Sequence, residues 1–161
     1  MIAPVPSVDT SVETSLPVEA VRAALLDFSE RRPEIWPGLT PSLYEVYTVG
    51  DTTAEVKEGT KMPLGAIWAR ELYDWSDPET VRWTVQESNF CTPGSYVSAT
   101  TRPRDGGGTR IAVHWERTGT SLIGKLACRV IVATKGKPVA ASVEKALRKL
   151  EAAQPGSPAG S

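Results

Sequence analysis

Histidine occurs once in the 161 residues, at His114, and cysteine twice, at Cys91 and Cys128. These three side chains cannot assemble the four-cysteine, two-cysteine two-histidine or three-histidine donor sets of the common zinc sites, so no metal is expected. Excess charge of one sign is also lacking: 18 Lys and Arg stand against 19 Asp and Glu, for a net charge of −1. The overall field therefore gives no reason to expect a nucleic-acid partner. No apolar run approaches the ~20 residues of a membrane span. The longest such stretch, over 126–134, is interrupted by Arg129. Stable membrane insertion is excluded on that ground. With so few cysteines and no charged start leading into an apolar leader, the expected compartment is the cytoplasm. Internal repeats are absent, and the 13 Gly and 13 Pro are scattered as punctuation, as in a turn-rich globular domain.

What the chain does contain is a clear change of period along its length. Residues 8–14 alternate Val8, Thr10, Val12 and Thr14 against polar neighbours, the pattern of a half-buried strand. Pro17 then suits a first helical residue, and Val18, Val21, Leu25 and Phe28 form one helical stripe, which predicts a helix over 17–29. Pro33, Pro37, Gly38 and Pro41 limit the segment around Ile35, Trp36 and Leu39 to a short helical turn or loop. The middle of the chain reads as six antiparallel strands over 43–49, 53–59, 66–75, 80–88, 95–102 and 109–117, because no helical stretch separates them to allow a parallel crossover. After Gly119 the period becomes helical again, first at Leu122, Leu126, Val130 and Ala133, then at Val139, Val143, Leu147 and Leu150. A long terminal helix capped by Thr120 or Ser121 is expected, kinked or broken at Gly136 and Pro138. One domain over 1–151 and a disordered tail over 152–161 complete the expectation.

The order of one strand, short helices, six antiparallel strands and a long last helix resembles the START-like, helix-grip superfamily, often called SRPBCC. The residues that carry the likeness are Leu16-Pro17-Val18-Glu19-Ala20-Val21 at the first helix, the run from Arg70 to Pro78, and Gly107-Gly108-Thr109-Arg110-Ile111. The resemblance implies an α+β fold in which a curved seven-stranded sheet wraps the C-terminal helix. It also implies a pocket between them for a hydrophobic small molecule. Some members cyclise or dehydrate polyketides, and others carry lipids or hormones.

Side-chain alternation orients the sheet independently of that likeness. Val81, Trp83 and Val85 share one face of their strand; Val97 and Ala99 share another, as do Ile111, Val113 and Trp115. On 66–75 the inward set is Ile67, Ala69, Glu71, Tyr73 and Trp75, because the opposite choice would bury Arg70 and Asp74. The inward set places one acid, Glu71, on an apolar face. A desolvated Glu71 has a raised pKa and can move protons or hold a ligand hydroxyl; alternatively it pairs with an arginine such as Arg117. Glu71 and Tyr73 are the candidate catalytic pair. Ala69, Trp83, Val85, Val97, Ala99, Val113 and Trp115 are the expected ligand-binding wall, Leu126 and Val130 its helical side, and Trp36 and Phe90 its rim. Small residues such as Ala69, Ala99 and Gly124 are candidates for leaving space to a guest.

Three other signals point elsewhere. Asp105-Gly106-Gly107-Gly108 joins two strands with no helix after it, so it reads as a hairpin turn, and no phosphate-bearing cofactor is expected. Ser121 has the spacing of a helix cap and no histidine base on its side, since His114 points outward. Between Ser121 and Ala152 seven basic residues face two acidic ones, as on a solvated helix face or one that transiently touches an anionic membrane. The favoured function is binding, and by extension transport, of a lipid-like or polyketide-like molecule. The alternatives are a cofactor-independent polyketide cyclase or dehydratase using Glu71, and an interaction module with a filled core.

Overall fold

The inward alternation read above builds seven strands in a computed structural model that describes residues 5–153. They are β1 (Ser7–Thr14), β2 (Glu45–Val49), β3 (Thr53–Met62), β4 (Gly65–Asp74), β5 (Thr80–Ser88), β6 (Tyr96–Pro103) and β7 (Thr109–Glu116). All pair antiparallel in the order β1-β7-β6-β5-β4-β3-β2, so the first strand closes one end of the meander beside the last. The inner face is set by the expected residues: Ala69, Glu71 and Tyr73 on β4, Val97 and Ala99 on β6, and Ile111, Val113 and Trp115 on β7 are all buried. Arg70 faces out and pairs with Glu55 and Glu87, and His114 faces out beside Asp9 at 2.8 Å.

The first helix, α1 (Val18–Leu25), is shorter than its apolar stripe. Pro17 sits just outside it, and Phe28 lies beyond its end. The stop has a physical cause: Arg32 Nη1 donates to the carbonyls of Leu25 (3.0 Å) and Asp27 (2.9 Å), satisfying the helix end, while the Asp27 carboxylate accepts from Ser29 N–H. A single turn, α2 (Arg32–Ile35), follows, and then a 3-10 turn over Pro41–Leu43.

The C-terminal segment is two helices rather than one, α3 (Leu122–Ala133) and α4 (Lys137–Ala153). Ser121 caps α3 by accepting from Gly124 N–H at 2.9 Å. Lys135 and Gly136 take left-handed backbone angles (φ 55° and 78°) and end it, with Gly136 N–H returning to Ile131 O at 2.8 Å. Pro138 then falls in the first turn of α4, where its missing N–H breaks no helical hydrogen bond. Together α3 and α4 lie across the concave face, α4 fastened to the end of β1 by Glu151, which accepts from Thr14 Oγ1 at 2.5 Å and Ser15 N–H at 3.1 Å. The architecture is a helix-grip α+β fold. Ala152 and Ala153 still belong to α4, and the remainder of the expected tail, 154–161, lies outside the described residues.

Candidate functional site

A cavity of about 420 Å³ separates the concave face of the sheet from the two C-terminal helices. Its walls follow from the strand alternation: Ala69 on β4, Trp83 on β5, Val97 and Ala99 on β6, and Val113 and Trp115 on β7 all line it. Trp36 and Phe90 reach it from the loops, and Val21 and Leu25 of α1 also line it. The Trp36 indole is fixed by donating to Ala24 O at 3.1 Å.

Three expectations fail. Val85 is buried as expected, but under Phe90 and Cys91 in a separate apolar cluster and not on the cavity. A register shift between Arg70 and Glu71 offsets β4 against β5 there. Leu126 and Val130 point to solvent, and the helical wall is made instead by Ala127, Cys128 and Ile131 of α3 with Val139, Val143 and Leu147 of α4. The rotation is dictated by Gly124, where a Cβ would lie 2.0 Å from the Phe90 carbonyl oxygen. Gly124 thus makes room for that backbone and not for a guest.

One strip of this apolar chamber is polar. Glu71 is buried, and its Oε2 accepts from Arg117 Nη2 at 2.9 Å, the pairing named as the alternative to a free acid. Arg117 Nη1 also reaches Cys91 Sγ at 3.8 Å, but its Nε is buried without a hydrogen-bond partner among the described residues. A second group lies beside it, where Arg32 Nε meets Glu58 Oε2 at 2.9 Å and Arg32 Nη2 donates to the Tyr73 hydroxyl at 3.0 Å. Tyr73 in turn donates to Glu58. The phenol ring is held by stacking on Trp83 (centroids 5.4 Å apart, 15° between planes) and by the edge of Phe28 at 5.1 Å.

The consequences for charge follow from burial. Loss of water pushes the Glu71 carboxyl up to about 7, with Glu58 nearby adding to the rise and Arg117 opposing it. Burial, reinforced by Glu58, likewise raises Tyr73 well above its ordinary 10. Burial lowers the affinity of Arg32 and Arg117 for their protons, but the facing carboxylates outweigh it and keep both guanidinium groups charged. Tyr73 gives its only proton to Glu58, so it has no donor left for a ligand. Glu71 has a second oxygen with no hydrogen-bond partner among the described residues, and this oxygen is the polar handle available to a guest, whereas Arg117 Nε is buried out of its reach.

Arg32 and Glu58 complete the polar strip without appearing among the residues expected from the sequence. Glu58 carried a signal, since Ala54, Val56 and Glu58 alternate inward on β3 just as Ala69, Glu71 and Tyr73 do on β4. Arg32 carried none, because a single turn between prolines has no period to read.

The family of polyketide cyclase / dehydrase and lipid transport proteins matches residues 5–154, nearly the whole chain. The chain belongs to this family. Among solved structures, TTHA0849 from Thermus thermophilus is similar over 92% of this chain and 100% of its own, with TM-score 0.72 and 19% identity. The Zhui aromatase/cyclase from Streptomyces sp. R1128 matches 89% of this chain and 94% of its own, with TM-score 0.68 and 14% identity. A START superfamily protein from Mycobacterium smegmatis matches 89% and 98%, with TM-score 0.66 and 13% identity. At such identities the shared property is the fold. No curated protein sequence matches.

Proposed function

We propose that this family member binds a hydrophobic small molecule, lipid-like or polyketide-like, in the chamber between sheet and helices. The observation that carries this is the cavity itself: about 420 Å³ of space with apolar walls and one built polar strip, the usual form of a small-molecule site. A filled-core interaction module has no use for that space. Affinity comes from burying apolar surface, about 0.8 kcal/mol for each methylene. Orientation comes from Glu71, whose free oxygen meets the polar end of the guest while Arg117 holds the carboxyl in place. Trp36, Phe90 and the junction of α3 with α4 border the opening and control access. Transport follows if the guest exchanges through that opening, and the cytoplasm is the compartment in which Cys91 and Cys128 stay free thiols. The test is native mass spectrometry of freshly purified protein together with titration of 1-anilinonaphthalene-8-sulfonate. A co-purifying apolar compound or saturable, displaceable probe fluorescence is expected, and the absence of both would overturn the proposal.

A second function, cofactor-independent cyclisation or dehydration of a polyketide, is favoured by one observation, the buried Glu71 carboxyl pushed up to about 7 on the wall of the chamber. As a carboxylate, Glu71 takes a proton from a carbon between two carbonyl groups. The resulting carbanion forms a C–C bond to a facing carbonyl carbon, and Glu71 returns the proton to the alkoxide to give a hydroxyl; Glu71 then takes the second proton from the same carbon and delivers it to that hydroxyl, which leaves as water as the C=C bond forms. Glu71→Gln separates the two functions: an enzyme loses turnover with affinity intact, whereas a carrier loses only part of its affinity.

A further inference from the structure

The α3 helix is apolar on two sides. Ala127, Cys128 and Ile131 face the cavity, yet Leu122, Leu126 and Val130 stand 87%, 62% and 45% exposed on the opposite side. A surface helix ordinarily turns one apolar stripe to the core and covers the other side with mixed charge. Here the outward side carries cations alone. Lys125 and Arg129 are interleaved with the exposed apolar residues at helical spacing, Lys135 and Lys137 follow at the break, and no Asp or Glu occurs between residues 118 and 143. None of these four cations forms an ion pair among the described residues.

We propose that α3 is a docking surface for an anionic lipid bilayer. Leu122, Leu126 and Val130 enter the boundary between headgroups and acyl chains, while Lys125 and Arg129 meet the lipid phosphates. The charge pattern selects this occupant over a second copy of the chain, because packing α3 on its own copy brings like charges together with no acid on that helix to pair them. The geometry also deepens the binding function, on which its purpose rests: the reverse side of the same helix is a wall of the cavity, so a docked membrane lies about 10 Å, one helix thickness, from the chamber.

Flotation of the purified full chain with vesicles of phosphatidylcholine alone, or of equimolar phosphatidylcholine and phosphatidylglycerol, tests this directly. The protein is expected to float with the anionic vesicles only, and to be released by salt. Leu126→Asp, and separately the pair Lys125→Glu with Arg129→Glu, should each cut the bound fraction roughly tenfold. Val49→Asp, at an exposed apolar position on β2 remote from α3 in the sheet order, should leave it unchanged; thermal melts check that every variant folds. Absence of flotation with anionic vesicles, or equal flotation of Leu126→Asp, overturns the proposal. So does light scattering that shows a wild-type dimer split by Leu126→Asp, which assigns the stripe to a second copy. Probe titration of the cavity needs no vesicles. Its failure with flotation intact removes the binding function alone, and the converse removes the docking surface alone.

Discussion

Arg117 donates through Nη2 to Glu71 Oε2 at 2.9 Å, from the segment just after β7 to the middle of β4, inside the chamber that both side chains line. This ion pair is taken out of water without a full complement of hydrogen bonds, since Arg117 Nε has no partner among the described residues. The carboxyl responds by holding its proton up to about pH 7, against an ordinary value of 4.5. Between those two values the folded state binds more protons at this site than the unfolded state does. The contribution to stability is therefore complete below pH 4.5 and is lost as pH rises through 7. One such group supplies a negative slope of at most about 1.4 kcal/mol per pH unit. Urea denaturation of wild type and Glu71→Gln, from about pH 5 to about pH 8 so as to span the titration, should show that slope in the first and a flatter profile in the second. Parallel profiles would show that Glu71 does not titrate in this range.

Arg32 is the more fully bonded arginine, and removing it should cost more than removing a surface charge. Its guanidinium serves the Leu25 and Asp27 carbonyls, Glu58 and Tyr73 at once. Arg32→Met leaves Glu58 in the chamber without its cation, and loss of one partner from a buried pair costs about 3–5 kcal/mol. Arg32→Lys keeps the charge but loses the planar fork that reaches four acceptors, so an intermediate loss is expected. Equilibrium unfolding in urea distinguishes the three proteins, and a loss under about 1 kcal/mol for Arg32→Met would show that the pair contributes nothing beyond a surface salt bridge.

The strands are legible because one face of the sheet is buried. Trp115, Val113 and Ile111 can be read inward from alternation alone, and the same rule isolates Glu71 as an acid out of place. The helices were less legible for a related reason. In α3 the exposed Leu122, Leu126 and Val130 repeat as regularly as the inward Gly124, Cys128 and Ile131, so apolar spacing cannot choose between the two sides. The choice is made by a contact distant in sequence, Gly124 against the Phe90 carbonyl. Arg32 and the early end of α1 escaped for a similar reason: one side chain from a loop supplies the cap, and no local pattern announces it.

Gly124→Ala sets two effects of opposite sign against each other. In an isolated helix alanine is favoured over glycine by about 1 kcal/mol. At this position the new Cβ would stand 2.0 Å from Phe90 O, backbone that also accepts from Thr120 N–H at 2.9 Å. Separating α3 from that loop is an overpacking cost of about 1–3 kcal/mol. Net destabilisation and a lowered melting temperature are expected, and a stabilised variant would mean that the junction yields freely.

The cavity can be tested by filling it and comparing the result with the same change in packed surroundings. Ala99 on β6 is buried and faces the chamber, whereas Ala146 on α4 is buried and does not line it. In a close-packed interior a phenylalanine in place of alanine forces neighbours apart at a cost of about 1–3 kcal/mol. Ala146→Phe should show that full loss in urea denaturation. Ala99→Phe instead projects a ring into the chamber of about 420 Å³, where it gains contacts with the opposite walls. Its stability should stay within about 1 kcal/mol of wild type. Because the ring occupies the room of the guest, the affinity for 1-anilinonaphthalene-8-sulfonate should fall at least about tenfold, equivalent to about 1.4 kcal/mol. The two alanines therefore respond in opposite ways only if the chamber is open in solution. Equal destabilisation at both positions, with probe binding unchanged, would mean that the side chains of β6 and β7 close the space and that the probe binds elsewhere.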